Sequence, residues 1–471
     1  MNTLTATLKD GRTIEYLPDM IGEGGMKRVY LTADRQSVVC FYKDKSAGGD
    51  PNRIARLESI LGRFNPTVNS PLAKYFSELF CWPTGIIVKP DFGVMTPVYP
   101  SNFKFASGNW KGKDKQGRWF SSPKLRKMLP PVERGDWLGY LNLCTLMARA
   151  TQKMHLTGLA HSDLSCMNVL VDPPSGKCVI IDIDSLVVPG VFNPDVLGTP
   201  GYIAPEVLAT LNLPLGDPKR KLPSNLTDLH ALAVLIYEYL LKRHPLRGPK
   251  IHAQTAEEDE RLAMGERALF VEHPKDSSNR PTGLTTTIEH LGPYLSALFI
   301  KAFVDGLHEP RNRPAAGDWE AALAKSSDLR IQCGNPACED KWFIYKEGSR
   351  PKCPSCSWGP RGQIPLLEFF YTPRAGQFLP EKHVLVGYLK RELHKWHVFR
   401  NVRPGPNADN KVYAHIEFQQ GNWLLVNDNL DSMISPGGNP VPKGKGCLLK
   451  EGNEIRLSKE EHGRLVSIKM I

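Results

Sequence analysis

The chain lacks any uninterrupted apolar run of the ~18 residues that a membrane-spanning helix needs. Its most apolar stretch, Leu229 to Leu241, is broken by His230 and Glu238. The opening residues, Met1 to Arg12, carry Lys9 and Asp10 and hold no hydrophobic signal core. These absences predict a soluble, cytoplasmic protein with no membrane span. Cysteine is scarce too: 10 in 471 residues are too few for a disulfide scaffold. No internal repeat of fixed period runs through the chain, which argues against a solenoid.

What is present is enough for several cores. The length predicts roughly two to four domains, and 41% apolar residues can fill them. Sixty basic against 49 acidic residues leave a charge of +11. Part of that excess is local, because eight Lys or Arg and one Asp lie between Lys104 and Lys127. A solvated insertion is the plain reading of this segment, and a docking surface is the other. Nucleic-acid binding through it is not expected.

The first 95 residues alternate β-like runs (Val38 to Tyr42, Gly85 to Val88, Phe92 to Val98) with one helix from Pro51 to Gly62, opened by Asp50 as N-cap. Helical patterns follow at Trp137 to His155, Thr227 to Leu241, Glu257 to Leu269 and Tyr294 to Val304. Beyond Leu329 come a cysteine-rich stretch and then β-like runs with Gly, Asn and Pro turns. The reading is an α+β chain.

Residues 21 to 30 read IGEGGMKRVY. Glycines such as Gly22 and Gly24 let backbone N–H groups approach phosphates without a Cβ in the way. Lys43 ends the strand-like VVCFYK, where an ammonium can meet α- and β-phosphates. Glu58 borders the apolar face of the following helix and can reach Lys43. Further on, residues 158 to 171 read GLAHSDLSCMNVLV, with Asp163 and Asn168 five apart. One loop can thus offer a base to a hydroxyl and an amide oxygen to a metal. Asp182, in VIIDIDS, supplies the hard oxygen that Mg²⁺ prefers.

These residues resemble the protein kinase superfamily, over about residues 15 to 329. The resemblance implies a bilobal protein-kinase fold that binds ATP and Mg²⁺. Gly22, Gly24 and Val29 match its glycine loop, Lys43 and Glu58 its ion pair, Asp163 its catalytic base, and Asn168 and Asp182 its metal ligands. Met95 and Val98 fall at the strand and hinge that flank the nucleotide. The run GTPGYIAPE, 198 to 206, looks like the end of an activation segment, with Arg313 matching the arginine that pairs Glu206 and Asp228 the aspartate that braces the catalytic loop. The literal DFG at Asp91 to Gly93 precedes the catalytic loop, so chain order excludes it from the metal role.

Several positions depart from the family. Lys27 replaces the third loop glycine and puts another cation near the phosphates. Ser162 replaces the arginine that normally reads an activation-loop phosphate, and Leu186 to Gly198 contains no Ser, Thr or Tyr. Activity without activation-loop phosphorylation is therefore expected. Ser165 replaces a lysine that steadies the transferred group, and Asp184 replaces the last glycine of DFG. The expected function is a protein serine/threonine kinase acting on a protein substrate. A pseudokinase scaffold that binds ATP and partners, and a small-molecule phosphotransferase, are the alternatives.

Cys333 and Cys338 form a CxxxxC pair, and Cys353 with Cys356 a CxxC pair, separated by fourteen residues. Two such pairs suit structural, tetrahedral Zn²⁺. Expected boundaries are 1–329 for the kinase domain (N-lobe about 1–95, C-lobe about 100–329), 330–361 for the zinc ribbon, and 362–471 for a β-rich interaction domain. That last part resembles a forkhead-associated β-sandwich, with His415 and Asn427 near the expected places, although no arginine–serine pair for a phosphothreonine stands out. A phosphate-blind interaction domain fits as well. The arrangement resembles bacterial eukaryotic-like kinases of tellurium-resistance and stress systems, which implies a von Willebrand factor A-type protein and a metal-dependent phosphatase as partners.

Overall fold

Alternation along Ser37–Tyr42 sets the architecture of the N-terminal half. Val39 and Phe41 pack to one side with Ala6, Leu8, Tyr16 and Ile87. Cys40 and Tyr42 pack to the other with Leu57, Ile86 and Val94. In the computed structural model, which describes residues 2–189, 191–192, 198–214, 216–374, 376–388 and 390–471, the first group fills a closed barrel. Its strands are β1 (Leu4–Leu8), β2 (Thr13–Glu23), β3 (Lys27–Thr32), β4 (Ser37–Tyr42), β5 (Gly85–Lys89) and β6 (Gly93–Pro97), in the order β1-β2-β3-β4-β6-β5. Helix α1 (Pro51–Leu61) lies against the outer face through Leu57. Its start is held as the sequence suggests: Pro51 occupies the first turn, and Asp50 accepts the Asn52 N–H at 2.9 Å.

The chain divides into two compact units. The first comprises Met1–Gly135, Asn142–Leu284 and Phe299–Ala316; the second comprises Asp136–Leu141, Thr285–Leu298 and Gly317–Ile471. Below the barrel, unit 1 is helical around Asn225–Leu241, in which every residue from Thr227 onward is buried. A helix buried all round occupies the centre of a core. The hairpin of β7 (Val169–Asp172) and β8 (Lys177–Ile180) carries the loops of the candidate site at its ends.

The basic segment is solvated only in part: Lys111, Lys113, Arg118, Lys124 and Lys127 are exposed, but the segment also has a core of its own. Phe105 and Phe120 are buried, and the Gly117 N–H donates to the Val169 carbonyl at 3.0 Å. Lys115 is buried between Glu133 (2.6 Å) and Asp172 (2.9 Å). A lysine enters a core only when its charge is matched, and the sequence separations hid both partners. The helix expected over Glu257 to Leu269 stops earlier, spanning Ala256–Met264 before Gly265.

In unit 2, β9 (Arg330–Gln332) and β10 (Trp342–Ile344) form a small hairpin next to the cysteines. Two four-stranded antiparallel sheets follow. One has the order β12-β11-β18-β17 and the other β13-β14-β15-β16. Their ranges are β11 (Pro365–Arg374), β12 (Gln377–Val386), β13 (Glu392–His394), β14 (Val412–Gln419), β15 (Asn422–Asn427), β16 (Gly446–Leu448), β17 (Glu454–Arg456) and β18 (Leu465–Met470). Leu367, Phe369, Ile416, Leu425 and Val466, from both sheets, share one core. Among the described residues, no helix is long and apolar enough to cross a membrane.

Candidate active site

The loop before β7 is braced from beneath by a buried carboxylate. Asp228 accepts the N–H of His161 (2.7 Å) and of Ser162 (3.2 Å), and its Oδ2 lies 3.1 Å from His155 Nε2. Ser162 adopts a left-handed φ of 63°, an uncommon conformation for a residue with a side chain. Two bonds into Asp228 hold that turn, and Asp163 follows directly after it. Asp163 Oδ1 accepts the Thr199 hydroxyl at 2.7 Å, and the same Oγ1 reaches Ser165 Oγ at 3.1 Å.

Asn168 donates its amide to the Asp163 carbonyl (2.8 Å) and to Asp163 Oδ2 (2.9 Å). Its Oδ1 is therefore the atom left for a cation. The Ile181 N–H donates to the Asn168 carbonyl at 3.0 Å, which brings Asp182 up beside Asn168 at the mouth of the hairpin. Asp182 has φ 62°, and its side chain is one-third exposed. Asn168 and Asp182 thus offer two hard oxygens at an open edge, the donor set that fits Mg²⁺.

The lysine is not where the motif suggests. Lys43 follows the end of β4, and its ammonium pairs with Glu23 at 2.8 Å. Glu58 pairs with Lys9, and both side chains are about half exposed. The expected Lys43–Glu58 pair does not form. The reason is strand parity: Tyr42, and not Lys43, shares the outer face with Cys40 and Leu57 of α1.

The cation that does enter is Lys27, half-buried with its side chain 17% exposed, whose backbone pairs with Tyr42 across the β3–β4 ladder. Its ammonium lies 2.5 Å from Asp182 Oδ1 and 2.7 and 2.9 Å from the two oxygens of Asp184. Tyr42 donates its hydroxyl to Asp184 as well. Burial disfavours the Lys27 ammonium, but Asp184 and Asp182 more than reverse this and hold it well above the usual lysine range. For Asp184, burial works against the charge, while Lys27 and the Tyr42 hydroxyl keep the carboxyl below its usual range. In the sequence Lys27 and Asp184 stand only as departures from the kinase pattern, and Tyr42 matches no motif. The alternation of VVCFYK was the available signal.

The rest of the nucleotide set is mixed. Gly22 pairs with Val29 across the β2–β3 ladder, and the Gly24 N–H donates to the Lys27 carbonyl at 2.9 Å. Among the described residues, no atom lies within 4 Å of where a Cβ on Gly24 would stand, so packing among them does not demand that glycine. Val29 lines the same face as Cys40. Met95 does not: it pairs with Val39 and packs into the barrel interior. Val98 spends its N–H on the Gln36 carbonyl at 3.0 Å. Tyr99, one residue on, joins Cys81, Phe103, Leu170 and Val179. Of the segment between Leu186 and Gly198, residues 190 and 193–197 lie outside the described residues. At its far end Arg313 grips Glu206 with two hydrogen bonds of 2.8 and 2.7 Å.

Two groups in unit 2 gather metal-type ligands. The Sγ atoms of Cys333, Cys338, Cys353 and Cys356 all lie within 4.8 Å of one another. Four soft donors in a closed cluster fit structural zinc. The Trp358 backbone N–H draws the Cys356 thiol down, whereas burial raises those of Cys333 and Cys353. Asp328, His383 and His397 form the second group. Here His397 Nδ1 accepts the His394 N–H at 2.8 Å, so in the neutral ring Nε2 carries the proton and donates it to Asp328 at 3.1 Å. A protonated nitrogen cannot ligate, so this trio is a hydrogen-bonded clamp. Nor do His415 and Asn427 offer a phosphate site. His415 sits between Asp428 (2.7 Å) and Glu417 (3.0 Å), and Asn427 is buried, bonding the carbonyls of Leu430 and Val441.

The braced aspartate loop, the strand hairpin and the Glu206–Arg313 pair, set below a barrel of strands, define unit 1 as a protein kinase fold of mixed helices and strands. Residues 140–297 match the family described as "Protein kinase domain". That span holds Asp163, Asn168, Asp182, Glu206 and Asp228. Among solved structures, the chain is similar to the kinase domain of a Toxoplasma gondii specific rhoptry antigen. The match has 13% identity and a TM-score of 0.41, and it covers 69% of this chain and 86% of that one. No curated protein matches the chain.

Proposed function

We propose that unit 1 transfers the γ-phosphoryl group of ATP to a serine or threonine hydroxyl of a protein, without first needing a phosphate on its own activation segment. The observation that carries this reading is the bond from Thr199 Oγ1 to Asp163 Oδ1 at 2.7 Å. Asp163 already holds a secondary hydroxyl at hydrogen-bond distance, which is what a general base must do for its substrate. In the reaction an acceptor hydroxyl takes that place. Its oxygen bonds to Pγ as the bond from Pγ to the bridging oxygen of ADP breaks, and its proton passes to Asp163.

Asn168 and Asp182 are the residues that would hold Mg²⁺, which would supply positive charge against the phosphates. Asn168 also fixes the rotamer of Asp163, so base and cation site are tied together. Independence from a phosphate is supported by Asp228: it braces the Ser162 turn from inside the core, where the absent arginine would have sensed a phosphate outside. Structural Zn²⁺ on the four cysteines and an interaction role for the two-sheet region complete the reading. A von Willebrand factor A-type protein and a phosphatase are the partners proposed by resemblance.

The test is incubation of the purified chain with Mg·ATP and a mixed protein substrate beside Asp163→Ala, followed by mass spectrometry. Phosphoserine or phosphothreonine made only by the unsubstituted chain is the expected result. ATP binding with no transfer would replace this reading with a nucleotide-binding scaffold.

A further inference from the structure

We infer that Lys27 is the lysine that meets the ATP phosphates, and that Asp184, not Glu58 of helix α1, is the carboxylate that holds it in place. This rests on the kinase reading above and changes which parts of the fold control the site.

Four observations lead there. Lys27 is the cation that reaches Asp182, the residue assigned to the metal edge, at 2.5 Å. It stands three residues beyond Gly24, so it enters the cleft from the phosphate loop itself. Lys43 is instead engaged with Glu23, and its side chain is 35% exposed. The place to which a strand-borne lysine would reach is filled by Tyr42, which stacks on Phe92 and bonds Asp184.

The two aspartates around Lys27 differ in a way that divides their work. Asp184 is 4% exposed and closed in by Lys27 and Tyr42, whereas Asp182 is 33% exposed. Asp182 can therefore turn to a cation while Asp184 keeps the ammonium in position. Two carboxylates facing one ammonium also leave the pocket one negative charge in excess, which a divalent cation at Asp182 would offset. The consequence is regulatory. In a lysine–glutamate arrangement, displacing the helix that carries the glutamate disassembles the site. Here α1 contributes neither partner, because Glu58 is spent on Lys9 at the surface. The positioning pair is built from the phosphate loop and the segment after β8, and α1 meets it only at second hand, through Leu57 and Arg53 against Tyr42.

The test compares Lys27→Arg, Lys27→Met, Lys43→Met and Glu58→Ala in the full chain, with kinetics on dephosphorylated casein and calorimetric affinities for Mg·ATP and for adenosine. Thermal unfolding checks that each variant folds; Lys27→Arg keeps the ion pair should Lys27→Met fail to do so. Loss of the preorganised charge contact should lower kcat by about 10²–10³-fold in Lys27→Met, and Lys27→Arg, which keeps the charge but moves it, should fall between Lys27→Met and the parent. Mg·ATP affinity should fall at least about tenfold, with adenosine affinity unchanged. Lys43→Met and Glu58→Ala should stay within about threefold of the parent in every measure. Equal weakening of ATP and adenosine would make Lys27 merely structural, and a kcat loss confined to Lys43→Met or Glu58→Ala would overturn the assignment. If the parent chain binds Mg·ATP but transfers nothing, the kinase reading fails, while the ATP-against-adenosine contrast still decides the lysine. A parent chain that binds no Mg·ATP sinks both.

Discussion

Replacing Arg313 by alanine should destabilise unit 1 far more than a surface ion pair would. Its guanidinium is 1% exposed and Glu206 is 20% exposed. Besides the two bonds to Glu206, it donates to the carbonyls of Gly306 (2.9 Å), Leu226 (2.8 Å) and Leu307 (3.2 Å). Exposed pairs contribute about 0–1 kcal/mol, but removing one partner of a buried pair costs about 3–5 kcal/mol. The three orphaned carbonyls are part of that loss, since each unsatisfied acceptor costs about 1–3 kcal/mol if water cannot reach it. For a unit of about 300 residues, about 3–5 kcal/mol corresponds to a Tm drop of roughly 5–8 °C. Calorimetry of the full chain reads this directly, with unit 2 as the part that the substitution leaves alone. Glu206→Ala should cost less, because Arg313 keeps its three carbonyls. The double variant should fall short of the summed single losses by about 1–3 kcal/mol. A Tm change below about 2 °C for Arg313→Ala, or additivity within about 0.5 kcal/mol, would refute the reasoning.

Asp163→Asn should reduce transfer by about 10²–10⁴-fold while Mg·ATP affinity, read by calorimetry, is kept, because the amide fills the same space without accepting the proton. Elemental analysis should find one zinc per chain, lost in Cys353→Ser and released as pH falls, since protons compete for the thiolates. The Asp328 clamp should make unit 2 acid-sensitive. Burial pushes His383 down to about 4, below the ~6.5 of an unfolded histidine. The unfolded chain then binds the extra proton first, so stability is full above about pH 6.5 and falls as pH drops towards 4, by on the order of 3 kcal/mol. Tm measured across that range, with His383→Gln flattening the slope, checks it. Gly117→Ala should unfold unit 1 or shift its loop, because a Cβ there would stand 1.8 Å from the Tyr239 hydroxyl; thermal unfolding decides.

Short-range chemistry was the legible part of the sequence. The α1 cap, the five-residue spacing of Asp163 and Asn168, and the four cysteines each depend on residues close in sequence, where spacing dictates geometry. Lys115 shows the opposite case. Its partners lie 18 and 57 residues away, and a charge run gives no hint that one member is buried. Met95 and Lys43 failed for a third reason. Each lies one residue out of phase with the cleft-facing residues of its strand, and a shift of one residue along a strand reverses the side that a residue faces. Val39, Phe41 and Met95 serve the barrel interior, while Val29, Cys40 and Tyr42 serve the cleft.

Two departures that look like separate defects make sense only together. A lysine at the third glycine of a phosphate loop would, alone, put an uncompensated cation in the cleft. An aspartate in place of the last glycine after Asp182 would, alone, bury a carboxylate at great cost. Placed 2.7 Å apart, each removes the other's penalty, and Tyr42 supplies the further hydrogen bond that a buried carboxylate needs. Such a pair predicts a sign that single substitutions cannot give. Lys27→Met leaves Asp184 buried with only the Tyr42 hydroxyl, whereas Asp184→Leu still leaves Lys27 its bond to Asp182. The double substitution, with both charges gone, should therefore be more stable in thermal unfolding than Lys27→Met alone, by about 1–3 kcal/mol, yet no more active. Recovery of stability without recovery of transfer separates the electrostatic support of the fold from the use of that charge on ATP. A double variant no more stable than Lys27→Met would show that the two residues do not compensate one another.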